Sequence, residues 1–194
     1  MLFKSKATLQ NKFFISCLIA LTLCRIFSKY REQVFLFNDK QIPIKCSYNI
    51  NNFDKNFLKT FNHNLFPNIS SFKENSLCIF ISDFFYNKEQ LVNLLNQLKK
   101  KSVNGLLLQI LDPLELNFKL DGSFTLVDIE TNKKLLFENI KSLEKQYSYN
   151  LKKLRLEILE VCKKNKFTFL QHCTNNNLDN FLLKIIKNIL INKK

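Results

Sequence analysis

The chain has 194 residues, and its 30 Lys and Arg against 16 Asp and Glu give a formal net charge of +14. This length suits one domain with a substantial core, and a hydrophobic fraction of 46% excludes a wholly disordered chain. Net positive charge attracts nucleic acid and anionic membranes, but here the lysines are scattered, and the longest basic run, residues 99–101, ends a predicted helix, where cations favour the dipole. We therefore expect no nucleic-acid binding.

The first predicted element is an apolar helix over residues 13–27, FFISCLIALTLCRIF. It resembles a signal peptide or membrane anchor. However, Arg25 interrupts it after about a dozen residues, whereas a spanning helix needs about 20. No small-residue cleavage pattern follows it convincingly. We expect a buried helix in a cytoplasmic protein, and anchoring to a membrane by residues 13–27 is the alternative.

A strand-rich stretch follows this helix. Residues 33–38 (QVFLFN) and 40–48 (KQIPIKCSY) are predicted strands, and Pro43 favours a sheet edge for the second. Residues 52–61 have the apolar spacing of a helix. Residues 76–85 (SLCIFISDFF) form a continuous apolar run, which is typical of a parallel strand covered on both faces, so an interior strand is predicted there.

The next elements predict a right-handed βαβ unit. Asn87 caps a helix with an inner side of leucines, and Gly105 opens a second buried strand, GLLLQIL. Two turn signals, Asp121-Gly122 and Thr131-Asn132, then predict a β-hairpin within residues 117–138. A long helix from Asn139, a strand over 166–172 and a helix over 178–191 complete a single α/β domain over residues 1–194, doubly wound around a mostly parallel sheet.

Four sequence segments, in their order along the chain, resemble a bacterial family of von Willebrand factor A-like proteins, domain of unknown function 58. They are ISDFF, LLLQILDPLELNF, DGSFTLVDIETNKKLLFE and TNNNLDNFLLKII. The resemblance implies a sheet of von Willebrand factor A type, with the hairpin of residues 117–138 inserted into it. It covers the segment from Ser82 to Phe137 best and extends less surely over nearly the whole chain.

The same resemblance predicts that the domain is incomplete at its N-terminus. Family members have a first central strand that ends in an Asp-x-Ser-x-Ser metal loop, and neither is found after Met1. Loss of that strand would leave unpaired backbone groups, each costing about 1–3 kcal/mol if buried dry. We therefore expect a truncated or split-gene product, with an N-terminal fragment of the same family as one possible partner that supplies the strand in trans.

Asp83 is the candidate metal ligand that the resemblance indicates. In the von Willebrand factor A fold, Mg²⁺ is held by the Asp-x-Ser-x-Ser loop, a Thr and a third-loop Asp, and Asp83 matches the last of these. No convincing Thr lies around residues 62–71, and one carboxylate cannot bind Mg²⁺ specifically. We expect no cofactor unless the missing loop is supplied in trans. Interpreting Asp83 as a hydrogen-bond acceptor near a helix start is equally favoured.

The other reactive residues do not predict catalysis. Neighbours on a strand, such as His172 and Cys173, point to opposite faces, and His63 is placed in a loop. Asp112 and Glu115 could form a carboxylate pair, but a turn after the strand is the favoured interpretation. The six cysteines contain no CxxC pair, so free buried thiols are expected.

The predicted function is therefore that of a non-catalytic adaptor that binds another protein. The family resemblance implies that it works with a MoxR-type AAA+ ATPase. The contact would lie at the sheet edge near Asp83.

Overall fold

The computed structural model describes Ser5, Thr8 and residues 10–37, 43–46, 67–85, 88–118, 124–127, 134–137 and 140–192. They form an α/β structure with a three-stranded parallel sheet flanked by helices. The helices are α1 (Lys12–Lys29), α2 (Lys88–Lys100), α3 (Pro113–Leu116), α4 (Ile140–Lys164) and α5 (Leu178–Asn192). The strands are β1 (Phe35–Phe37), β2 (Pro43–Lys45), β3 (Leu77–Ser82), β4 (Asn104–Leu111), β5 (Phe124–Val127), β6 (Lys134–Phe137) and β7 (Phe167–Cys173).

The parallel sheet has the order β3-β4-β7. Leu77 pairs with Asn104 at the start of the β3–β4 ladder, and Gly105 pairs with Phe167 at the start of the β4–β7 ladder. Strand β4 is central, and Leu106, Leu107 and Leu108 within it are fully buried. The predicted βαβ unit is therefore present as β3, α2 and β4.

Strand β3 differs from its predicted interior position. Within the described ranges its one strand neighbour is β4, so it forms an edge of this sheet. Its side chains are mostly half-buried, whereas those of β4 are almost all buried. An apolar run alone does not separate the two positions, because the helices on both faces of the sheet cover an edge strand as well as a central one.

Helices cover both faces of the sheet, because successive side chains of β4 point to opposite sides. On one face, α1 and α5 pack over alternate β4 residues in a cluster of Ile15, Ile19, Leu23, Leu106, Leu108, Ile110, Leu170, Phe181, Ile185 and Ile189. On the other face, α2 and α4 pack over Leu107 in a cluster that includes Leu91, Leu94, Leu95, Leu98, Ile158, Val161, Cys162 and Phe167.

Gly105, the second residue of β4, lies where only a glycine fits. A Cβ atom at this position would collide with the backbone carbonyl of Cys78 on the neighbouring strand. The two strands therefore approach closely at the start of their ladder, and a larger residue would force them apart.

Strands β1 and β2 form a separate antiparallel pair, with Leu36 opposite Ile44. The N–H of Cys46 extends this ladder by donating to the carbonyl of Val34 over 2.9 Å. Phe37 stacks on Phe72 with ring centroids 4.9 Å apart, which connects the pair to the α2–α4 side of the core. We define β1, β2 and Cys46 as the N-terminal hairpin.

Strands β5 and β6 are also antiparallel, and Phe124 lies opposite Phe137. They occupy the predicted hairpin segment between α3 and α4. Their interpretation as a family-specific insertion stays a prediction. The helix predicted over residues 52–61 lies outside the described residues.

The apolar N-terminal segment forms α1, which packs against β3 and β4. Its Ile19 is fully buried and Leu23 is nearly so, whereas Phe14 and Leu18 on another side are exposed. None of the helices in the described ranges has the length and apolar character needed to span a membrane.

Candidate functional site

The ends of β3 and β4 place polar side chains at the carboxyl edge of the parallel sheet. Ser82 is the last residue of β3 and Asp83 directly follows it, and Asp112 directly follows β4. Phe84 then adopts a left-handed backbone conformation, with φ of 57°, and its side chain is buried in the core. This sharp turn holds the strand end in place, at the edge where open α/β sheets bind ligands.

Lys12, the first residue of α1, inserts a buried ammonium group into this edge. Its Nζ lies 3.1 Å from Oδ2 of Asp83 and 2.6 Å from Oε1 of Glu115. The Lys12 side chain is only 3% exposed, and the two carboxylates are 17% and 15% exposed. The arrangement therefore connects α1, the end of β3 and α3 through one cation. We call Lys12, Asp83 and Glu115 the edge triad.

Asp112 connects the same edge to the residues that precede α1. Its Oδ2 accepts from the N–H of Ser5 at 3.0 Å and from the hydroxyl of Thr8 at 3.2 Å. Its Oδ1 accepts from the N–H of Leu114 at 2.9 Å, and Glu115 accepts in return from the N–H of Asp112 at 2.8 Å. The result is a capping box on α3 that also holds the N-terminal segment against the sheet.

The protonation of Asp112 reflects these bonds. Burial raises the pKa of the Asp112 carboxyl, but hydrogen bonds from Ser5, Leu114 and Thr8 together outweigh this effect and leave the pKa below its ordinary value. Asp112 is consequently a carboxylate near neutral pH, with its oxygens already engaged as acceptors.

Aromatic residues surround the edge triad. Phe85 is 46% exposed, and the Nζ of Lys12 lies 5.8 Å from its ring centroid. Phe118 packs on Tyr147 with ring centroids 4.8 Å apart. Burial, followed by the negative charges of Glu115 and Asp83, raises the pKa of Tyr147 to about 12. This surface therefore combines aromatic rings with charges that are largely removed from water.

Gln109 supports Asp83 from inside the sheet. Its Nε2 donates to the backbone carbonyl of Asp83 at 2.8 Å, which fixes the strand end. Its Oε1 is buried and has no hydrogen-bond partner within the described residues. The hydrogen bond from Gln109 therefore holds Asp83 in position within the edge triad.

The edge triad does not fit a divalent cation. The Lys12 ammonium already lies between the two carboxylates that would have to bind the metal, and like charges at such distances repel strongly in a poorly solvated site. No group of three or more His, Cys, Asp or Glu side chains in the described residues is arranged to hold a metal ion. Asp83 is instead an acceptor for a buried ammonium group.

The structure also places the other residues considered for chemistry. Asp112 and Glu115 belong to the capping box of the short helix α3, where the sequence predicted a turn after the strand. His172 stacks on Phe181 with ring centroids 4.6 Å apart, and burial lowers the pKa of His172 to about 4. Cys173 is buried, and burial raises the pKa of its thiol. His63 lies outside the described residues.

Sequence reasoning missed Lys12, Ser5 and Thr8. In the sequence, these residues only precede the apolar run of residues 13–27. One signal was present: Asn11 is a helix cap, so Lys12 is the first helical residue, where a cation opposes the helix dipole. A lysine at this position indicates that a carboxylate elsewhere in the fold could compensate for it.

Comparison with known proteins adds no assignment: no protein-family model, curated protein or solved structure matches the chain.

Proposed function

We propose that this protein is a non-catalytic interaction module that binds a protein partner at the carboxyl edge of its parallel sheet, in a fold of von Willebrand factor A type. The observation that carries the proposal is the edge triad, in which the Lys12 ammonium lies between Asp83 and Glu115. Both carboxylates are ion-paired, and the Asp112 carboxylate accepts hydrogen bonds from Ser5, Thr8 and Leu114. These contacts favour a structural role for the three carboxylates over that of a general base.

The triad favours contact without a divalent cation. A metal-dependent edge uses the ion to bind an acidic group of the partner, whereas here a lysine of the chain itself supplies the positive charge. Because the ammonium group is buried, its role is to fix the shape of the edge. The partner then binds the surface around it.

Phe85 is the residue best placed to make that contact. It is exposed, aromatic and next to the triad, and binding energy at protein interfaces concentrates in such residues. The excess of positive charge in the whole chain favours a partner with an acidic surface. The family resemblance suggests a MoxR-type AAA+ ATPase as this partner.

The proposal is tested by measuring binding of the purified chain to a MoxR-type ATPase by biolayer interferometry, with Mg²⁺ and with EDTA. We expect equal affinity in both conditions. Phe85→Ala should weaken binding at least about tenfold, because truncating a central aromatic residue typically costs about 2 kcal/mol or more, and about 1.4 kcal/mol corresponds to tenfold.

Tyr149→Ala is the matched control, because Tyr149 is an exposed aromatic residue on α4. It should bind as the unmodified chain does. Loss of binding in EDTA, or equal binding by the Phe85→Ala variant, would contradict the proposal.

The alternative is a membrane-anchored protein held by residues 13–27. It has less support, because Ile15, Ile19 and Leu23 in this segment are already buried against the sheet and would have to leave the core. Flotation with vesicles of neutral and anionic lipid separates the two proposals. Recovery of the folded chain with the vesicles would favour the anchor.

A further inference from the structure

Two cysteine thiols from different elements meet beneath the N-terminal hairpin. Cys24 lies on α1 and Cys46 directly follows β2, and their Sγ atoms are 3.4 Å apart. Both residues are buried, with 5% and 8% of their surface exposed. We propose that Cys24 and Cys46 form a redox-active dithiol, which a peroxide oxidises to a disulfide linking α1 to the N-terminal hairpin.

The separation of the two sulfur atoms suits this reaction. A disulfide bond is about 2.05 Å long, so the two atoms must approach by about 1.4 Å. Cys46 is held in the hairpin ladder by its N–H, and Cys24 is held in the middle of a long helix. The pair is therefore preorganised, although 21 residues separate the two cysteines along the chain.

The environment of the pair assigns a role to each thiol. The hydrogen bond between Cys46 and Cys24 lowers the pKa of the Cys46 thiol, burial opposes this shift, and a hydrogen bond with the backbone of Leu36 supports it. The same hydrogen bond and burial raise the pKa of Cys24. The shared hydrogen bond favours the thiolate on Cys46, and the proposal takes Cys46 as the attacking sulfur.

The remaining cysteines lack this activation. Burial raises the pKa of Cys17 to about 11 and that of Cys162 to about 12. Burial also raises the pKa of Cys78 and Cys173. Because the thiolate is the form that reacts, these four thiols should react more slowly than Cys46 with the same oxidant.

The reaction consumes one hydrogen peroxide molecule per disulfide. The Cys46 thiolate attacks one peroxide oxygen, the O–O bond breaks, and hydroxide leaves, which gives a sulfenic acid on Cys46. The Cys24 sulfur then attacks the Cys46 sulfur and breaks its S–O bond. The departing hydroxide takes the Cys24 proton, and the hydroxide of the first step takes the proton that Cys46 loses on ionisation, so that two thiols and one peroxide yield one disulfide and two water molecules.

Oxidation should stiffen the attachment of the N-terminal hairpin. The disulfide would connect Cys46 to α1, the helix that begins with Lys12. This proposal does not depend on the protein partner proposed above. We expect slower amide hydrogen exchange at β1 and β2 in the oxidised chain than in the reduced chain.

The test treats the folded chain with stepwise additions of hydrogen peroxide, blocks the remaining thiols, and maps linked peptides by mass spectrometry without reduction. The titratable thiols of the chain should fall from six to four, with loss of about 2 Da and a single Cys24–Cys46 link. In Cys24→Ser, Cys46 should be trapped by dimedone as the sulfenic acid. Cys17→Ser, the matched control on the same helix, should form the link as the unmodified chain does.

Two results would overturn the proposal. One is a chain that keeps six thiols at peroxide concentrations that oxidise a free model thiol. The other is a set of links or sulfenic acids distributed over the other cysteines. Both are read from the unmodified chain, so they do not depend on whether the variants fold.

Discussion

Two lysine–carboxylate contacts in this protein use the same chemistry in different surroundings. At the carboxyl edge, Lys12 is 3% exposed and contacts Asp83 and Glu115. Between α2 and α4, the Nζ of Lys88 lies 3.3 Å from Oε1 of Glu157, with side chains 52% and 26% exposed. Water screens the second contact and is largely excluded from the first.

The difference shows that burial, and not charge pairing alone, decides what such a contact contributes. An exposed pair contributes about 0–1 kcal/mol, because water solvates each partner well without the other. In a buried pair, removal of one partner leaves the other charge poorly solvated and without compensation. The edge triad is therefore difficult to break and also fixes the geometry of the proposed interaction surface.

The largest expected effect is that of Lys12→Ala. Loss of the ammonium group leaves Asp83 and Glu115 facing each other without a cation, and we expect the free energy of unfolding to fall by about 3–5 kcal/mol. Urea denaturation followed by circular dichroism measures the change. A loss below about 1 kcal/mol would show that the edge is as well solvated as the surface pair.

His172 extends the comparison to a buried titratable group that has no charged partner among the described residues. Its Nε2 has no hydrogen-bond partner in the described part of the chain, and burial lowers its pKa from 6.5 to about 4. Between these two pH values the unfolded chain binds the proton and the folded chain does not. The contribution of neutral His172 to the free energy of unfolding is therefore fully present above pH 6.5. It falls by about 3 kcal/mol as the pH drops to about 4.

The His172→Phe variant tests this pH dependence. Phenylalanine keeps an aromatic ring against Phe181 but cannot be protonated. The variant should lose less stability than the unmodified chain between pH 6.5 and pH 4 in urea titrations, and His172→Gln provides a second, polar comparison. Parallel pH profiles for all three chains would contradict the assignment.

Asp112→Ala should have an intermediate effect. It removes a helix cap and the carboxylate that accepts from the Ser5 N–H and the Thr8 hydroxyl, so we expect a loss of about 2 kcal/mol. Asp179→Ala, an exposed acidic residue in the first turn of α5, is the control and should cost less than about 1 kcal/mol.

The depressed pKa of Asp112 adds a pH signature. The stabilisation by its carboxylate is fully present above the unfolded value of 3.8 and is lost as the pH falls through the lower folded value. The difference in stability between the unmodified chain and Asp112→Ala should therefore shrink below about pH 4. A constant difference down to pH 2 would contradict the role of the ionised carboxylate.

The sequence predicted local structure well, because local signals determine it. The apolar run of β3, the leucine spacing of α2 and Gly105 at the start of β4 each act within a few residues. The position of β3 in the sheet was predicted less well. It is an edge strand within the described ranges, and an apolar run does not indicate how many neighbouring strands a strand has.

The candidate site was predicted only in part for the same reason. Asp83 was found because a strand end is visible in the sequence, but its partner Lys12 lies 71 residues away. Likewise, Cys24 and Cys46 show no recognisable spacing, and only the packing of the hairpin on α1 brings them together. Contacts of this kind depend on tertiary structure and leave no periodic pattern.

The smallest expected effect on the free energy of unfolding is that of Lys88→Ala, which removes the lysine of the exposed pair. Lys88 and Glu157 border a groove with Leu91 and Ile158, and the space within it, about 10 Å³, admits roughly one water molecule. Water can therefore solvate Glu157 once the lysine is removed, and the free energy of unfolding should change by less than about 1 kcal/mol. The small remaining contribution should disappear in 1 M NaCl, whereas the effect of Lys12→Ala should persist, because salt screens exposed charges far more than buried ones. Equal salt sensitivity of the two variants would show that solvent reaches both lysines to the same extent.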